Sequence, residues 1–257
     1  MKKNAFKETV KNGGKALGTF FELGSMSTME CLGRTGLDFV IIDNEHGPFE
    51  PESTQDYIRA AELGGLTPFA RVREISRPAV LKLLDIGAKG LIVPCVETVD
   101  QVKKLVEYAK YAPLGKRGYS GSRKDAWGFD YPATESMEEN MWINNEETLL
   151  IPQCETVGCL EHIEEVAAIE GVDGIFVGPF DLSISLGIPG QFKNPEFLAA
   201  VDRILKACKA NHKISVIFTG NLDAVKEYYE QGFDAVAYSM DAAILVNGFR
   251  DVVKQVK

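Results

Sequence analysis

Ionisable and amide side chains follow the short apolar runs of this sequence. They come after runs such as LDFVII, TPFA, LLIP and GIFVGPF, and they are Asp43, Glu45, His46, Arg71, Arg73, Gln153, Glu155 and Asp181. Each one alone could be a loop salt bridge or a helix cap. If the runs are strands of one sheet, the charged ends converge on one rim, where burying them unpaired would cost several kcal/mol each. We therefore expect a ligand or a metal ion to pair them.

Two of these carboxylates, Glu155 and Asp181, follow consecutive apolar runs. Hard oxygen ligands, completed by substrate oxygens and water, suit Mg²⁺ or Mn²⁺. Co²⁺ or Zn²⁺ is possible, but His162 and His212 fall outside the strand ends and give no nitrogen-rich site. The alternative is a carboxylate pair that is solvated at the rim.

Proton transfer is suggested by His46, which follows Asp43 by three residues, so that the two can meet within one turn. A carboxylate that accepts the ring N–H raises the basicity of the other ring nitrogen, and this would make a proton-transfer dyad. The alternative is a histidine held in a loop hydrogen-bond network. Arg71 could bind a substrate carboxylate or an enolate oxygen with its forked guanidinium, or pair with Asp43 or Glu45, and the two roles are compatible.

A turn from a strand into a short helical start is predicted for the segment Val177-Gly178-Pro179-Phe180-Asp181-Leu182-Ser183. Backbone N–H groups of Phe180 and Asp181 could bind a substrate carboxylate there, and Gly178 would permit its close approach. A tight turn capped by Asp181 is the alternative. Lys89 precedes its apolar run, at the wrong end for a Schiff base, and this disfavours an imine mechanism.

Eight β-branched and aromatic runs predict the strands that must position these residues. The runs are Leu17–Leu23, Leu37–Asp43, Thr67–Val72, Gly90–Pro94, Leu149–Glu155, Gly174–Gly178, Ile214–Thr219 and Ala235–Ser239. Helical patterns alternate with them at Ser27–Thr35, Ser53–Leu63, Arg77–Leu84, Val99–Lys110, Val157–Ala168, Pro195–Ala210, Leu222–Gln231 and Asp241–Gln255. Ser76, Thr98 and Asn194 stand as start signals before three of these helices.

This alternation predicts an α/β protein with a parallel sheet, most simply one (β/α)8 TIM barrel spanning residues 1–257 as a single domain. A doubly wound open sheet is the alternative, but no glycine-rich dinucleotide fingerprint follows the first strand. The longest irregular stretch, Tyr111–Glu147, is expected to cover the active site. In a barrel the chemistry sits at the carboxyl ends of the strands, where the ionisable residues fall.

Composition narrows the possible partners and the cellular setting. The net charge of −9 disfavours nucleic acid, whose phosphates an acidic surface repels. No apolar run approaches the ~20 residues of a membrane span, and no signal peptide is recognised. Five cysteines without a CxxC pair indicate reduced thiols and a cytoplasmic protein.

The chain resembles the HpcH/HpaI class II pyruvate-dependent aldolases, a family that includes hydroxy-oxo-heptanedioate and 2-dehydro-3-deoxyglucarate aldolases. The matching pieces are FVIIDNEHGP, LLDIGAKGLIVPCVET, YAPLGKRG, IPQCET and GVDGIFVGPFDLSISLG, in family order over nearly the whole chain. The combination of IDNEHG with GPFDLS is specific, whereas LDIGA alone would be weak.

This resemblance implies a phosphoenolpyruvate/pyruvate-type barrel in a homo-oligomer, often a trimer of dimers with the last helix exchanged between neighbours. It implies a divalent metal at Glu155 and Asp181 and a base dyad of His46 and Asp43. It further implies that Arg71 stabilises a pyruvate enolate, that Gln153 lines the pocket, and that Asp85 lies at a subunit boundary near the site.

The implied reaction is reversible cleavage of a 4-hydroxy-2-oxo acid to pyruvate and an aldehyde. The alternatives are a related carbon–carbon lyase, such as an oxaloacetate decarboxylase or a CoA-ester lyase, and a non-catalytic barrel that binds oxo acids. The sequence departs from the family pattern at VREISRP, SGSRKDAWGFDY and FTGN. Those places shape the aldehyde pocket, so the aldehyde is the least defined part of the prediction.

Overall fold

The structure is a computed structural model that describes residues 3–129 and 136–257. The strands are β1 (Ala16–Phe21), β2 (Phe39–Asp43), β3 (Thr67–Arg71), β4 (Gly90–Val93), β5 (Leu149–Cys154), β6 (Gly174–Val177), β7 (Ile214–Thr219) and β8 (Ala235–Met240). Each pairs in parallel with the next, and β8 pairs with β1, so the sheet closes on itself. The predicted (β/α)8 barrel is confirmed, and the open-sheet alternative is wrong.

Helices surround this barrel. They are α1 (Ala5–Lys11), α2 (Met26–Leu32), α3 (Pro51–Leu63), α4 (Arg77–Asp85), α5 (Val99–Ala109), α6 (Met137–Glu147), α7 (Val157–Glu161), α8 (Ile163–Ala168), α9 (Pro179–Ser185), α10 (Pro195–Ala210), α11 (Leu222–Gln231) and α12 (Asp241–Val256). The three predicted start signals act as N-caps: the Ser76, Thr98 and Asn194 side chains accept backbone N–H groups of the first turns. In the part of the chain that is described, no helix combines the length and the apolar character needed to cross a membrane.

The core has two layers, because each parallel strand is buried on both faces. One layer lies between the strands and the helices, and the other fills the barrel. Phe6 of α1 closes the barrel at the amino ends of the strands, with its ring centroid 5.1 Å from that of Phe39 and 4.9 Å from that of Phe69. Gly18 makes room for these rings, since a Cβ there would lie 2.5 Å from the Phe39 ring.

Two predicted elements differ in the structure. The helix expected over Val157–Ala168 divides at His162 into α7 and α8. The stretch Tyr111–Glu147, expected to be irregular, contains α6 and a 3₁₀ turn at Arg123–Gly128. Residues 130–135 of that stretch lie outside the described residues.

Within one chain, no described residue of this stretch lines the cavity at the carboxyl ends of the strands, so the expectation is wrong for the chain on its own. Arg117 pairs with Asp85 at 2.7 Å, and Arg123 donates to the carbonyl oxygen of Ile86 at 3.0 Å, both at the C-terminal end of α4. The physical reason is connectivity. The stretch joins α5 to β5, and such a helix-to-strand connection runs at the amino ends of the strands.

Candidate active site

A cavity of about 210 Å³ opens at the carboxyl ends of the strands. Seven residues predicted from the sequence line it: His46, Arg71, Gln153, Gly178, Pro179, Phe180 and Asp181. Four strands bring them together: His46 follows β2, Arg71 ends β3 and Gln153 lies near the end of β5. The other four residues follow β6 in succession. The barrel thus gathers most of the predicted site into one concave surface.

Arg71, the last residue of β3, is held by two carboxylates. Its Nε donates to Asp43 Oδ1 at 2.9 Å, and its Nη2 donates to Asp43 Oδ2 at 2.5 Å. Its Nη1 lies 3.0 Å from Glu45 Oε2. The guanidinium also lies over the Phe20 ring, 4.9 Å from the ring centroid. Charge-assisted bonds of this forked kind fix both the position and the plane of the guanidinium.

The charge state of Asp43 follows from these contacts. Burial by itself raises the pKa of Asp43, but the hydrogen bond and the charge of Arg71 outweigh burial and hold the pKa below its ordinary value. Glu45 is less tightly held, and burial raises its pKa despite Arg71. Beside the permanently charged Arg71, Asp43 therefore stays ionised to lower pH, whereas Glu45 is more easily protonated.

His46 meets Asp43 through the backbone. Its N–H and that of Glu45 donate to Asp43 Oδ1, at 3.3 Å and 3.0 Å. Across residues 3–129 and 136–257 no side chain is hydrogen-bonded to the His46 ring, which faces the cavity. The expected bond between the ring and Asp43 is therefore absent in this structure, because Arg71 occupies both carboxylate oxygens. The base role of His46 stays a prediction.

Glu155 lies just past β5 in a buried setting. Its Oε1 accepts the backbone N–H of Cys95 at 2.7 Å, and its Oε2 accepts a hydrogen bond from Gln153 Nε2. Burial, assisted by the charges of Asp181 and Glu45, raises the pKa of Glu155 to about 7. A carboxylate that is poorly stabilised in its charged form is one that a bound cation would stabilise.

The donor set fits a divalent ion with open positions. The buried Gln153 Oε1 has no hydrogen-bond partner among the described residues, so it can accept from a water molecule bound at this place. No described group of three His, Cys, Asp or Glu side chains forms a closed cluster. Mg²⁺ prefers this kind of coordination, with two carboxylates and the remaining positions left to water and substrate oxygens, whereas a structural Zn²⁺ does not.

Gly178 is required by the close packing of this corner. A Cβ at Gly178 would lie 2.5 Å from Glu155 Oε2 and 2.6 Å from Gln153 Nε2. Helix α9 begins at the next residue, Pro179, so the N–H groups of Phe180 and Asp181 fall in its first turn and face no earlier helical carbonyl. Binding of a substrate carboxylate by those N–H groups stays a prediction.

Asp85 lies apart from the other predicted residues. It ends α4 at the opposite end of the barrel and pairs with Arg117. Within one chain it does not approach the cavity. Its predicted place at a subunit boundary near the site therefore requires a second copy of the chain and stays a prediction.

Sequence reasoning missed several residues of the cavity. Phe20, Phe176, Phe218 and Met240 form an aromatic and apolar wall, and Glu22 adds a carboxylate just past β1. The apolar pattern predicts a strand that extends to Leu23 and contains Glu22, whereas β1 ends at Phe21. A charged residue directly after the run LGTFF was the signal that could have found it.

Comparison with known proteins decides the family. The family model described as HpcH/HpaI aldolase/citrate lyase matches residues 16–248. The chain belongs to this family. The resemblance predicted from the sequence is confirmed, and the protein is a carbon–carbon lyase of the aldolase type.

Individual relatives agree with this assignment. The chain is 31% identical over 258 residues to a hydroxypyruvate/pyruvate aldolase of Roseobacter denitrificans, covering 99% of this chain and 97% of the relative. It is 31% identical over 253 residues to a 2-dehydro-3,6-dideoxy-6-sulfogluconate aldolase of Pseudomonas putida, covering 96% and 95%. The solved structure of an HpcH/HpaI aldolase from Desulfitobacterium hafniense superimposes with a TM-score of 0.90 at 28% identity, covering 98% and 96% of the two chains.

Proposed function

We propose that this protein is a divalent-metal-dependent aldolase that reversibly cleaves a 4-hydroxy-2-oxo acid to pyruvate and an aldehyde. The observation that carries the proposal is that Arg71, held by Asp43 and Glu45, lines one cavity together with Asp181. Glu155 lies buried next to that cavity and is hydrogen-bonded to the lining residue Gln153. A fixed cation and a site for a second one suit a reaction that develops negative charge on an oxygen.

Glu155 and Asp181 are the residues that would hold the metal, with Mg²⁺ or Mn²⁺ preferred and Co²⁺ or Zn²⁺ possible. When bound, the ion supplies Lewis-acid polarisation of the 2-oxo group. The orphaned Gln153 oxygen beside Glu155 supports this placement. Enolate stabilisation and proton transfer are carried out by side chains of the protein.

Arg71 stabilises the enolate that cleavage leaves behind. As the bond between C3 and C4 of the substrate breaks, its electron pair moves into the enolate and negative charge grows on the former keto oxygen. A guanidinium that is already held in place by Asp43 and Glu45 needs no reorganisation to meet that charge. Asp43 and Glu45 thus act as positioning residues for Arg71.

His46 moves the proton. Its ring faces the cavity, where it would take the proton of the C4 hydroxyl as the aldehyde forms. The proton held on the His46 ring then passes to the enolate carbon, which gives pyruvate and returns the ring to its starting state. In the reverse direction, loss of a methyl proton from pyruvate regenerates the enolate.

The experiment is NMR of deuterium uptake into the pyruvate methyl group in D₂O. We expect uptake with Mg²⁺ or Mn²⁺ and its loss after EDTA treatment. His46→Ala and Glu155→Gln should each lower the rate at least about 100-fold. His162→Ala, which removes an exposed histidine paired with Glu165, is the matched control and should exchange at the wild-type rate. Full activity in EDTA, or trapping of pyruvate by borohydride, would overturn the metal–enolate route.

We also propose that the chain forms a homo-oligomer in which α12 is exchanged between neighbours, as in a trimer of dimers. Helix α12 presents exposed apolar residues along its length, among them Leu245, Phe249 and Val253. At its base lies an apolar groove of about 620 Å³ against β1 and α2. A second copy's α12 is the occupant that this groove fits, because the helix and the groove both lack an apolar partner within the described chain.

A reducing, cytoplasmic setting is proposed with it. All five cysteines are free, and Cys154, Cys159 and Cys208 are buried. Disulfides are rare in reducing compartments, which supports this placement.

A further inference from the structure

Glu22 lines the cavity, and hydrogen bonds to Asp241 hold its backbone in place. Its backbone N–H donates to Asp241 Oδ1 at 3.0 Å, and the N–H of Leu23 donates to Asp241 Oδ2 at 3.1 Å. Asp241 is buried at the start of α12 and is fully used by these bonds and by its own helix. The segment after β1 is therefore fixed, and it directs Glu22 to the same cavity as His46 and Arg71.

The Glu22 carboxylate has no cation of its own. Within residues 3–129 and 136–257 it forms neither a hydrogen bond nor an ion pair, whereas Arg71 is already bound by Asp43 and Glu45. Burial and the charges of Asp43 and Asp241 raise the pKa of Glu22. A half-buried carboxylate in such a place is a free hydrogen-bond acceptor that repels further negative charge.

Apart from Arg71 and His46, whose charges also act on Glu22, the lining of this cavity carries no positive group among the described residues. Phe20, Phe218 and Phe180 form a run of rings, with centroids 5.6 Å apart for Phe20 and Phe218 and 5.9 Å apart for Phe180 and Phe218. Met240 completes the lining next to them. A substrate group reaching this wall would thus meet carbon faces on one side and the Glu22 carboxylate on the other.

We propose that Glu22 is the specificity-determining residue for the aldehyde, and that it selects aldehydes bearing hydroxyl donors and no negative charge. This inference rests on the proposed aldolase function. Arg71 and the metal site bind the pyruvate half, so Glu22 and the aromatic wall remain for the aldehyde half. Hydroxyl groups would donate to Glu22 while the carbon skeleton packs against the rings. An aldehyde with a carboxylate would be repelled at the same position.

The test compares three aldehydes of similar size as condensation partners for pyruvate: glyceraldehyde, butyraldehyde and 4-oxobutanoate. The quantity compared is the ratio of kcat/KM values within one variant, which cancels any effect on steps of the pyruvate half. For the wild type we expect glyceraldehyde to exceed each of the other two at least about tenfold.

Substitution of Glu22 should change these ratios selectively. In Glu22→Gln the preference for glyceraldehyde over 4-oxobutanoate should fall about tenfold, because the repulsion is removed while a polar side chain remains. In Glu22→Leu the preference over butyraldehyde should fall as well. Glu52→Gln removes an exposed carboxylate from the first turn of α3 and should leave every ratio at the wild-type value.

The outcomes separate the two proposals. Deuterium uptake into pyruvate with unchanged ratios in both Glu22 variants, or a wild type that prefers 4-oxobutanoate, overturns the role of Glu22 and leaves the aldolase function standing. A folded, metal-loaded wild type that neither exchanges pyruvate protons nor condenses any aldehyde overturns the aldolase function, and the role of Glu22 fails with it.

Discussion

Arg71 illustrates how one side chain can be both structural and functional. Its two carboxylate partners neutralise a charge that would be expensive to bury alone, and they leave the guanidinium facing the cavity with a fixed orientation. The sequence offered an ion pair with Asp43 or Glu45 and a substrate contact as alternatives. The structure contains both ion pairs, and they are compatible with the substrate contact.

Asp43 should make the stability of the protein sensitive to acid. Because its folded-state pKa lies below the ordinary value, its contribution is present above the unfolded pKa and is lost as the pH falls through the folded one. We expect Asp43→Asn to lower the free energy of unfolding by about 2–3 kcal/mol near neutral pH, since it leaves Arg71 with one carboxylate.

Urea unfolding at about pH 6 and about pH 3 would measure this effect. The difference between wild type and Asp43→Asn should shrink at the lower pH. Asp56→Asn, which removes an exposed partner of Arg59, is the control and should cost no more than about 0.5 kcal/mol. If Asp43→Asn lowers the free energy of unfolding equally at both pH values, the ionised Asp43 carboxylate is not the source of the stabilisation.

At the residue scale, prediction from sequence worked where a charge follows an apolar run. Arg71, Glu155 and Asp181 carry that signal, and the structure brings them to one rim. It failed for hydrogen-bond partners, because spacing shows that Asp43 can reach His46 but not that Arg71 competes for the same oxygens. Sequence reasoning missed Glu22 because the apolar pattern suggests a strand up to Leu23, whereas β1 ends two residues earlier, at Phe21.

At the scale of elements, the junction of β6 and α9 sets the metal corner. Gly178 has φ −92° and ψ 90°, a backbone that alanine can also adopt, so Gly178→Ala tests space rather than strain. The added methyl group would displace Glu155 and Gln153, and we expect Mn²⁺ affinity measured by calorimetry to fall at least about tenfold.

Gly220→Ala is the control for that substitution. It adds the same methyl group after β7, where nothing lies within 4 Å of the new Cβ. It should bind Mn²⁺ as the wild type does. Equal affinities in the two variants would show that the Gly178 corner does not hold the ion.

Strands were easier to predict than the segments between them. A buried parallel strand is an uninterrupted apolar run, and all eight predicted runs contain the observed strands or most of their residues. Helix α1 was missed because seven residues are too few to show a helical period. The length of the stretch from Tyr111 suggests a cover over the site, but its connection from α5 to β5 puts it at the amino ends of the strands.

At the scale of the whole molecule, α12 is the described helix that leaves the most large apolar side chains exposed. Phe249 is 66% exposed on it. We expect Phe249→Asp to shift the wild-type oligomer to smaller species in sedimentation velocity, because a charge cannot enter an apolar groove. Asn247→Asp adds the same charge at an exposed polar position of α12 and should assemble more like the wild type.

A wild type that sediments as a monomer at micromolar concentration would contradict the exchange of α12. The architecture of one chain could be predicted from its pattern of runs. The pattern of runs does not predict assembly, because an exposed apolar helix is recognised only once the barrel is seen to leave it uncovered. The exchange of α12 is implied by the family resemblance and stays a proposal.

The ring of Phe6 makes the beginning of the chain part of the hydrophobic interior. Most proteins tolerate trimming at their termini, because such residues are frayed. Here, clipping the first eleven residues would open a void beneath Phe39 and Phe69, at a cost of about 3–5 kcal/mol for a ring of that size. Loss of α1, which packs at the amino ends of the strands and not at the cavity, would therefore lower the melting temperature and the yield of folded protein.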